Sequence, residues 1–548
     1  MSEALRYWHT VRHLRPIQIY GRLWFHLIRP RVSLRPAPAV RALTSPWVPG
    51  AERVPSLLSH TRFSFLHEER ELAAHGWDDP ALDKLWRYHQ HYFDDLNAKN
   101  AASRLVWHSS LIEQWVRDNP PRQGTGWEPY PTALRIVNWV KWAWRGNELS
   151  HACADSLAVQ ARWLSRRLEG HVLGNHLFAN AKALVFAGLY FHGSEAERWL
   201  QMGLGILATQ ADEQILPDGG QFERSTMYHA LALEDMLDLC NAVRAHSEAI
   251  DSRWQAAIAA WHTKIGPMRT WLAAMCHPDG DIGFFNDAAF RAGPSPRDLD
   301  RYACQLGFPA LGSLVTPIIH LRDTGYIRLQ TGPAVALIDV APVGPEYLPA
   351  HAHADTLSFE LSLFGQRLFV NSGTSRYGAG AERLRQRGTA AHNTVVLDRQ
   401  DSSEVWSAFR VGRRARPSGL EVLSGDTLIV RCAHNGYERL AGRPRHAREW
   451  ALSPDRLVVH DSISGEFHQA EARFHLHPAI RVHPGDAGML RLQWPNGRLA
   501  TFCVTGGLVR PVPSTWHPEF GLSEPNVCLV AHFAKPVLET ELRWDGAE

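Results

Sequence analysis

The chain has 548 residues, with 58 Lys and Arg against 56 Asp and Glu, so its formal net charge is +2. That balance excludes a chain-wide basic footprint for nucleic acid, and 45% hydrophobic with 21% charged residues excludes a disordered chain. At this length about two to four domains are expected. Trp (21) and His (30) are abundant, and 16 of the Trp fall in residues 1–320 with five in 321–548, so the two ends are built differently. The seven cysteines (Cys153, Cys240, Cys276, Cys304, Cys432, Cys503 and Cys528) are scattered without a C-x-x-C pair. They read as buried thiols, not as a disulfide framework or zinc ribbon.

In chain order, the stretch MSEALRYWHTVRHLRPIQIYGRLWFHLIRPR alternates apolar residues with Arg and His. It has neither the apolar run nor the small-residue cleavage site of a secretory signal. Cytoplasm is therefore the default location, with periplasm or cell envelope as the alternative. No stretch approaches the roughly 18 uncharged apolar residues of a spanning helix. Residues 6–31 read as a docked arm or as a membrane-surface segment.

From residue 80 to about 275 the pattern is helical. HLFANAKALVFAGLYF (176–191) places Leu177, Ala181, Leu184, Val185, Gly188 and Leu189 on one stripe, with Gly174 and Asn175 ahead of it as a start signal. Ser225 is the expected N-cap of a helix over 226–246, and further helices are predicted over 131–146, 153–168, 195–210 and 252–275. After Arg322 the period becomes two. Leu357, Phe359, Leu361 and Leu363 alternate with Ser358, Glu360 and Ser362, which predicts a half-buried strand. Asn496-Gly497 between two apolar runs predicts a hairpin, and strands also fit 326–330, 334–340, 393–397, 427–432, 456–461 and 471–476. The expected architecture is two lobes: an arm and first helices over 1–80, a helical lobe over 81–320, and an antiparallel β-sandwich over 321–548.

Three clusters carry polar chemistry. Asn175-His176 opens a helix. DGGQFERSTMYH (218–229) leads a glycine-containing loop into a helix whose first turn holds Tyr228 and His229. His351, His353 and Asp355 have period-two spacing, which in an extended chain points all three to one side. They share parity with Leu357 and Phe359, so they continue that buried face unless the chain bends. Asn371 and His392-Asn393 follow, and two His from one strand with one from a neighbour can bind a divalent metal.

Together, GNHLFANAKALVFAGLYF, LPDGGQFERSTMYH, HPDGDIGFFND, HAHADTLSFELSLFGQRLFVNSGT and AAHNTVVLD resemble the heparinase II/III group of polysaccharide lyases, related to certain alginate lyases. The resemblance spans roughly residues 80–400. It implies an incomplete (α/α) toroid followed by an antiparallel β-sandwich. The N-terminal stretch is similar, more loosely, to a subgroup associated with bacterial surface-polysaccharide genes.

The resemblance implies β-elimination at a uronic acid, with an anionic polysaccharide as partner and no cofactor required for chemistry. His176 is then the candidate base, Tyr228 the candidate acid (or acid and base, if elimination is syn), and Asn175 and His353 stabilise the charged intermediate. As a base, Tyr228 would need nearby positive charge, for which Arg224 and His229 are candidates. The implied metal positions are His353, Asn371 and His392, for a structural zinc or calcium. Asn371 stands where the pattern commonly has Asp, and Asp355 is a possible substitute. Arg376, Arg383, Arg385 and Arg387 are candidates to grip carboxylates, Trp127, Tyr130 and Trp139 to stack on sugars. Glu223, Arg224, His229, His351 and Asn393 complete the expected substrate-facing set. Two rivals stand beside this reading: a glycoside hydrolase using carboxylates from Asp218, Glu223 or Asp279, and a non-catalytic glycan-binding protein.

Overall fold

The computed structural model describes residues 3–545. Two short helices, Glu3–Val11 and Pro16–Leu27, precede an extended stretch, and from Lys84 to Gln305 the chain is helical. The predicted helices are present as Pro129–Trp144, His151–Leu164, Gly174–Tyr190, Ser194–Gln214, Thr226–Ala245 and Gln255–Ala274. They form an incomplete toroid. The Gly174–Tyr190 helix differs from its predicted single stripe, being buried on all sides from Phe178 onward. Its packing against Ser194–Gln214 is backbone-close: a Cβ on Gly188 would lie 2.6 Å from the Leu200 amide nitrogen. Twelve of the 16 Trp in residues 1–320 are buried, so most of the Trp excess is packing between helices.

Three larger antiparallel sheets follow, with a two-stranded pair of Val405–Trp406 and Arg410–Val411 beside them. Ile318–Leu321, Tyr326–Thr331, Ala334–Asp339, Phe359–Leu363 and Gln366–Phe369 form a five-stranded sheet in chain order. A four-stranded and an eight-stranded sheet complete the lobe, and a bridge between Phe369, in the last strand of the five-stranded sheet, and Leu476, just past the strand Ala470–His475 of the four-stranded one, joins those two. Ile338, Phe359, Phe474, Trp450, Phe502 and Leu542, drawn from all three sheets, share one apolar core. The predicted hairpin is present, with Leu490–Gln493 paired to Leu499–Thr505 around Gly497. All seven cysteines are free; five are buried, Cys503 is partly covered and Cys304 is exposed. Among the described residues no helix is long and apolar enough to cross a membrane.

The strand expected to be half-buried is buried on both faces. Phe359, Leu361 and Leu363 enter the sandwich core, and the polar alternates meet the toroid instead of water. His277 contacts Ser362 Oγ at 2.7 Å and Glu360 Oε2 at 2.9 Å, and the Phe284 amide donates to Glu360 at 2.9 Å. Burial pushes the Glu360 carboxyl up to about 7, against the pull of Arg367 and two backbone amides. The period-two polar face is thus the seam between the lobes. The 351–357 segment ahead of it is irregular, not extended, and Leu357 bends it at φ +62°.

Candidate active site

Helix Gly174–Tyr190 starts at this seam. Leu173 before it has φ +66°, rare for a bulky side chain. Gly174 follows at φ +55°, where a Cβ would lie 2.5 Å from Leu348 Cδ2 and 3.0 Å from Glu223 Oε1. Glycine alone lets the helix begin against the β-lobe. Leu173 is the N-cap, without a side-chain bond, so Asn175 belongs to the first turn and does not cap it. The half-exposed Asn175 amide makes no hydrogen bond among the described residues. His176 beside it holds Nδ1 3.1 Å from Glu169 Oε1, off the direction of a well-formed hydrogen bond. Asn180 fixes Glu169 by accepting from its backbone at 2.8 Å and donating to its carboxylate at 3.2 Å. Tyr130 covers the imidazole with ring centroids 4.4 Å apart. Burial disfavours the imidazolium, but the Glu169 charge outweighs it and raises the pKa of His176 above its ordinary value.

Ser225 caps the next helix as predicted, its Oγ accepting from the Tyr228 amide at 3.1 Å. This places Tyr228 in the first turn, its ring 4.0 Å from that of His351 and its hydroxyl 2.9 Å from that of Tyr377. Burial first, then the nearness of Tyr377, Tyr130 and Asp287, holds Tyr228 well above the usual phenol range, and burial with the Asp287 charge does the same for Tyr377. Both phenols therefore keep their protons at neutral pH. Glu223 lies between the two helix starts. It is buried, its Oε1 accepts from Gln221 at 3.3 Å, and its Oε2 lies 3.6 Å from His351 Nε2.

Beneath these residues sits Asp287, in the loop after helix Gln255–Ala274. Its carboxylate meets His351 Nδ1 at 2.8 Å, His353 Nε2 at 2.9 Å and the guanidinium of Arg383, whose Nη2 donates at 2.7 Å. Burial opposes this charge, but Arg383 and the two imidazoles hold the carboxyl well below the usual range. Asn286 shapes the loop. At φ +58° it receives the His353 amide on Oδ1 at 3.1 Å and donates to the Arg224 carbonyl at 3.0 Å. His351 and His353 thus do face one side, through a turn and not a strand.

Several expected residues are placed elsewhere. Trp127 is buried, donating to the Asn119 carbonyl at 3.2 Å, and Trp139 is wholly buried, so neither offers a sugar platform. His229 sits between the Gln221 amide and the Met268 carbonyl, and burial lowers its pKa to about 4. Arg224 points to the Thr324 carbonyl. Neither is the cation proposed to activate Tyr228. Arg387 is buried and donates to the carbonyls of Ala352 and Ala408, Arg383 is consumed by Asp287, and Arg385 pairs with Glu382. Arg376 alone of that segment is exposed with no ion pair among the described residues. Asn393 is structural, donating to the Phe359 carbonyl and accepting from the His475 amide.

Asn371 is also committed: it donates to the Phe284 carbonyl at 2.9 Å and accepts from the Asn393 amide at 3.1 Å. The ligand atoms that converge are those of His353, Asp355 and His392, all buried and within 4.8 Å of one another. Asp287, Glu169 and Tyr377 were not singled out from the sequence. Asp287 lies inside HPDGDIGFFND and Tyr377 inside GTSRYG, but nothing in their spacing says which partners the loops reach.

The two-lobe fold is shared with solved heparinase structures. A heparinase III crystal structure superposes with a TM-score of 0.68 at 19% identity, over 85% of this chain and 77% of the other. A heparan sulfate lyase HepC mutant from Pedobacter heparinus gives 0.61 at 16% identity, over 97% and 88%. The heparinase II/III N-terminal profile matches residues 108–301, and the heparinase II/III-like C-terminal profile matches residues 314–545. The chain belongs to the heparinase II/III family. A curated relative, the heparin-sulfate lyase of Bacteroides stercoris, is 24% identical over 386 residues, 61% of this chain and 57% of that protein. The chain spans less than two thirds of the length of the curated relatives it matches.

Proposed function

We propose that the protein is a polysaccharide lyase that cleaves a uronate-containing anionic polysaccharide by β-elimination. One juxtaposition carries this reading: the Glu169-backed His176 and the protonated Tyr228–Tyr377 pair lie at neighbouring helix starts linked by Glu223 and His351. With Nδ1 of His176 turned to Glu169, its Nε2 lone pair is the base for the C5 proton. The C5–H electron pair forms the C4–C5 double bond, the C4–O bond breaks, and Tyr228 delivers its proton to the departing oxygen. The Asn175 amide is free to donate to the uronate carboxylate as charge develops there. General acid and base groups each contribute about 10²–10⁴-fold.

Paired-carboxylate hydrolysis has less support. Asp218 is occupied by the Gly220, Asp323 and Thr324 amides, and Asp279 by Arg367. The substrate is proposed to be a bacterial surface polysaccharide or exopolysaccharide, on the N-terminal resemblance. Mass spectrometry of digests tests the reaction class: elimination gives an end lighter by one water than the hydrolytic product. Chain cleavage yielding only hydrated ends would overturn the proposal.

A structural divalent metal is proposed on His353, Asp355 and His392, in place of the expected Asn371. Asp287 fixes the Nε2 proton of His353, so its Nδ1 is an acceptor 3.3 Å from His392 Nε2, and no hydrogen bond satisfies the buried His392 Nδ1. A second pair at the same 3.3 Å needs no ion. There the Gly436 amide donates to His434 Nδ1, so His434 Nε2–H donates to His446, which donates to Asp461. Two imidazoles with one carboxylate suit zinc better than calcium, which takes oxygen ligands. Bound there, the ion would order the seam beneath Asp287.

A further inference from the structure

The helix Pro16–Leu27 has one face on the protein and one face uncovered. Inward, Gln18 donates to the Tyr347 carbonyl at 3.1 Å, and the Phe25 ring lies 4.4 Å from His171 with Arg167 over it. Outward, Ile19, Tyr20, Leu23, Trp24 and Leu27 form a continuous helical stripe, each between 55% and 78% exposed. The preceding helix, Glu3–Val11, is anchored by Tyr7 against Trp406 and by the Trp406 indole donating to Thr10. It leaves Trp8 exposed as well. Uncovered apolar side chains in this density mark an interaction surface.

Charge identifies what covers it. The first 31 residues hold six Arg and a single Glu, whereas the other 517 carry 52 basic and 55 acidic residues. The whole positive excess of the molecule therefore sits beside this face, on an otherwise slightly acidic body. Arg12, Arg22, Arg29 and Arg31 are exposed and make no ion pair among the described residues. A second copy of the chain seated on this face would bring the same arginines together. An anionic bilayer surface instead offers acyl chains to Leu23, Trp24 and Leu27 and headgroup charge to the arginines, with Tyr and Trp at the boundary.

We infer that the two N-terminal helices form a peripheral docking surface for anionic lipid, independent of the reaction at the seam. The test is flotation of the full chain with vesicles of phosphatidylcholine alone and of phosphatidylcholine mixed with phosphatidylglycerol. The bound fraction should be at least about tenfold greater on the mixed vesicles and should fall as salt is raised. L23D/W24D should abolish binding, and R22E/R29E should remove the preference for anionic vesicles. Because all four side chains are exposed, both variants should unfold at the wild-type temperature. Equal binding to the two vesicle types, no binding to either, or wild-type binding by L23D/W24D would overturn the inference. So would a wild-type dimer in sedimentation that L23D/W24D converts to monomer, since a second copy would then cover the face.

Discussion

The Tyr228 hydroxyl lies 2.9 Å from the hydroxyl of Tyr377, and the two phenols come from different lobes. Tyr228 stands in the first turn of a toroid helix, fixed by the Ser225 cap and by stacking on His351. Tyr377 stands in the β-lobe loop ahead of the short helix Ala381–Arg387, whose Arg383 holds Asp287. The proton donor of the proposed reaction therefore exists as a pair only when the lobes are docked.

Tyr228→Phe should lower kcat by about 10²–10⁴-fold, the usual contribution of a positioned acid, while thermal unfolding stays near wild type. Tyr377→Phe removes a partner and not the donor, so its loss should be smaller. A Tyr228→Phe enzyme with full turnover would remove the phenol from the mechanism.

The pH profile reads the His176–Glu169 pair. A base must be neutral, and the pKa of His176 is raised above 6.5, so kcat/KM should climb through a value above 6.5 as pH rises. Glu169→Gln removes the raising charge and should move that limb to lower pH. The pair stabilises the fold below the ordinary imidazole value, and this contribution fades as pH rises through the raised one. The phenols stay protonated beyond the ordinary tyrosine range, so no loss of activity below about pH 10 should arise from Tyr228. An acid limb unmoved by Glu169→Gln would detach His176 from the base role.

Asp287 neutralises a wholly buried Arg383. Asp287→Ala leaves that cation unpaired and should cost about 3–5 kcal/mol in denaturant unfolding. The double variant Asp287→Ala/Arg383→Met should recover part of the loss. Because this carboxyl is held below its ordinary value, its stabilisation is complete above that value and disappears only as pH falls through the lower, folded one. An Asp287→Ala protein as stable as wild type would contradict the account of the hub.

Much of this was legible in the sequence, and the failures share a cause. Periodicity located the helices because the toroid buries them locally, and Asn496-Gly497 located a hairpin because a turn is a short-range device. The Ser225 cap followed from residues three apart. Glu360 and Ser362 misled as an exposed face because the toroid segment that covers them comes from some 80 residues earlier. The arginines misled for the same reason: Arg383 and Arg387 read as free forks, yet each is consumed by buried oxygens brought by the fold. Asp287 gave no periodic signal at all, since a loop residue acquires its meaning from the elements that close over it.

The metal proposal predicts about one divalent ion per chain in protein purified without chelator. His392→Gln and Asp355→Asn should each lose it, while His434→Gln, in the pair already satisfied by hydrogen bonds, should retain it. Elemental analysis decides this without reference to activity. Protein free of metal, or metal retained in His392→Gln, would count against the site.

The most direct measurement is ultraviolet absorbance during incubation of wild type and Tyr228→Phe with a panel of uronate-containing polysaccharides. Elimination creates a conjugated unsaturated uronate, so absorbance should rise with wild type on at least one polymer and stay flat with the variant. Shortening of any polymer by the wild-type protein without that rise would contradict the proposed reaction.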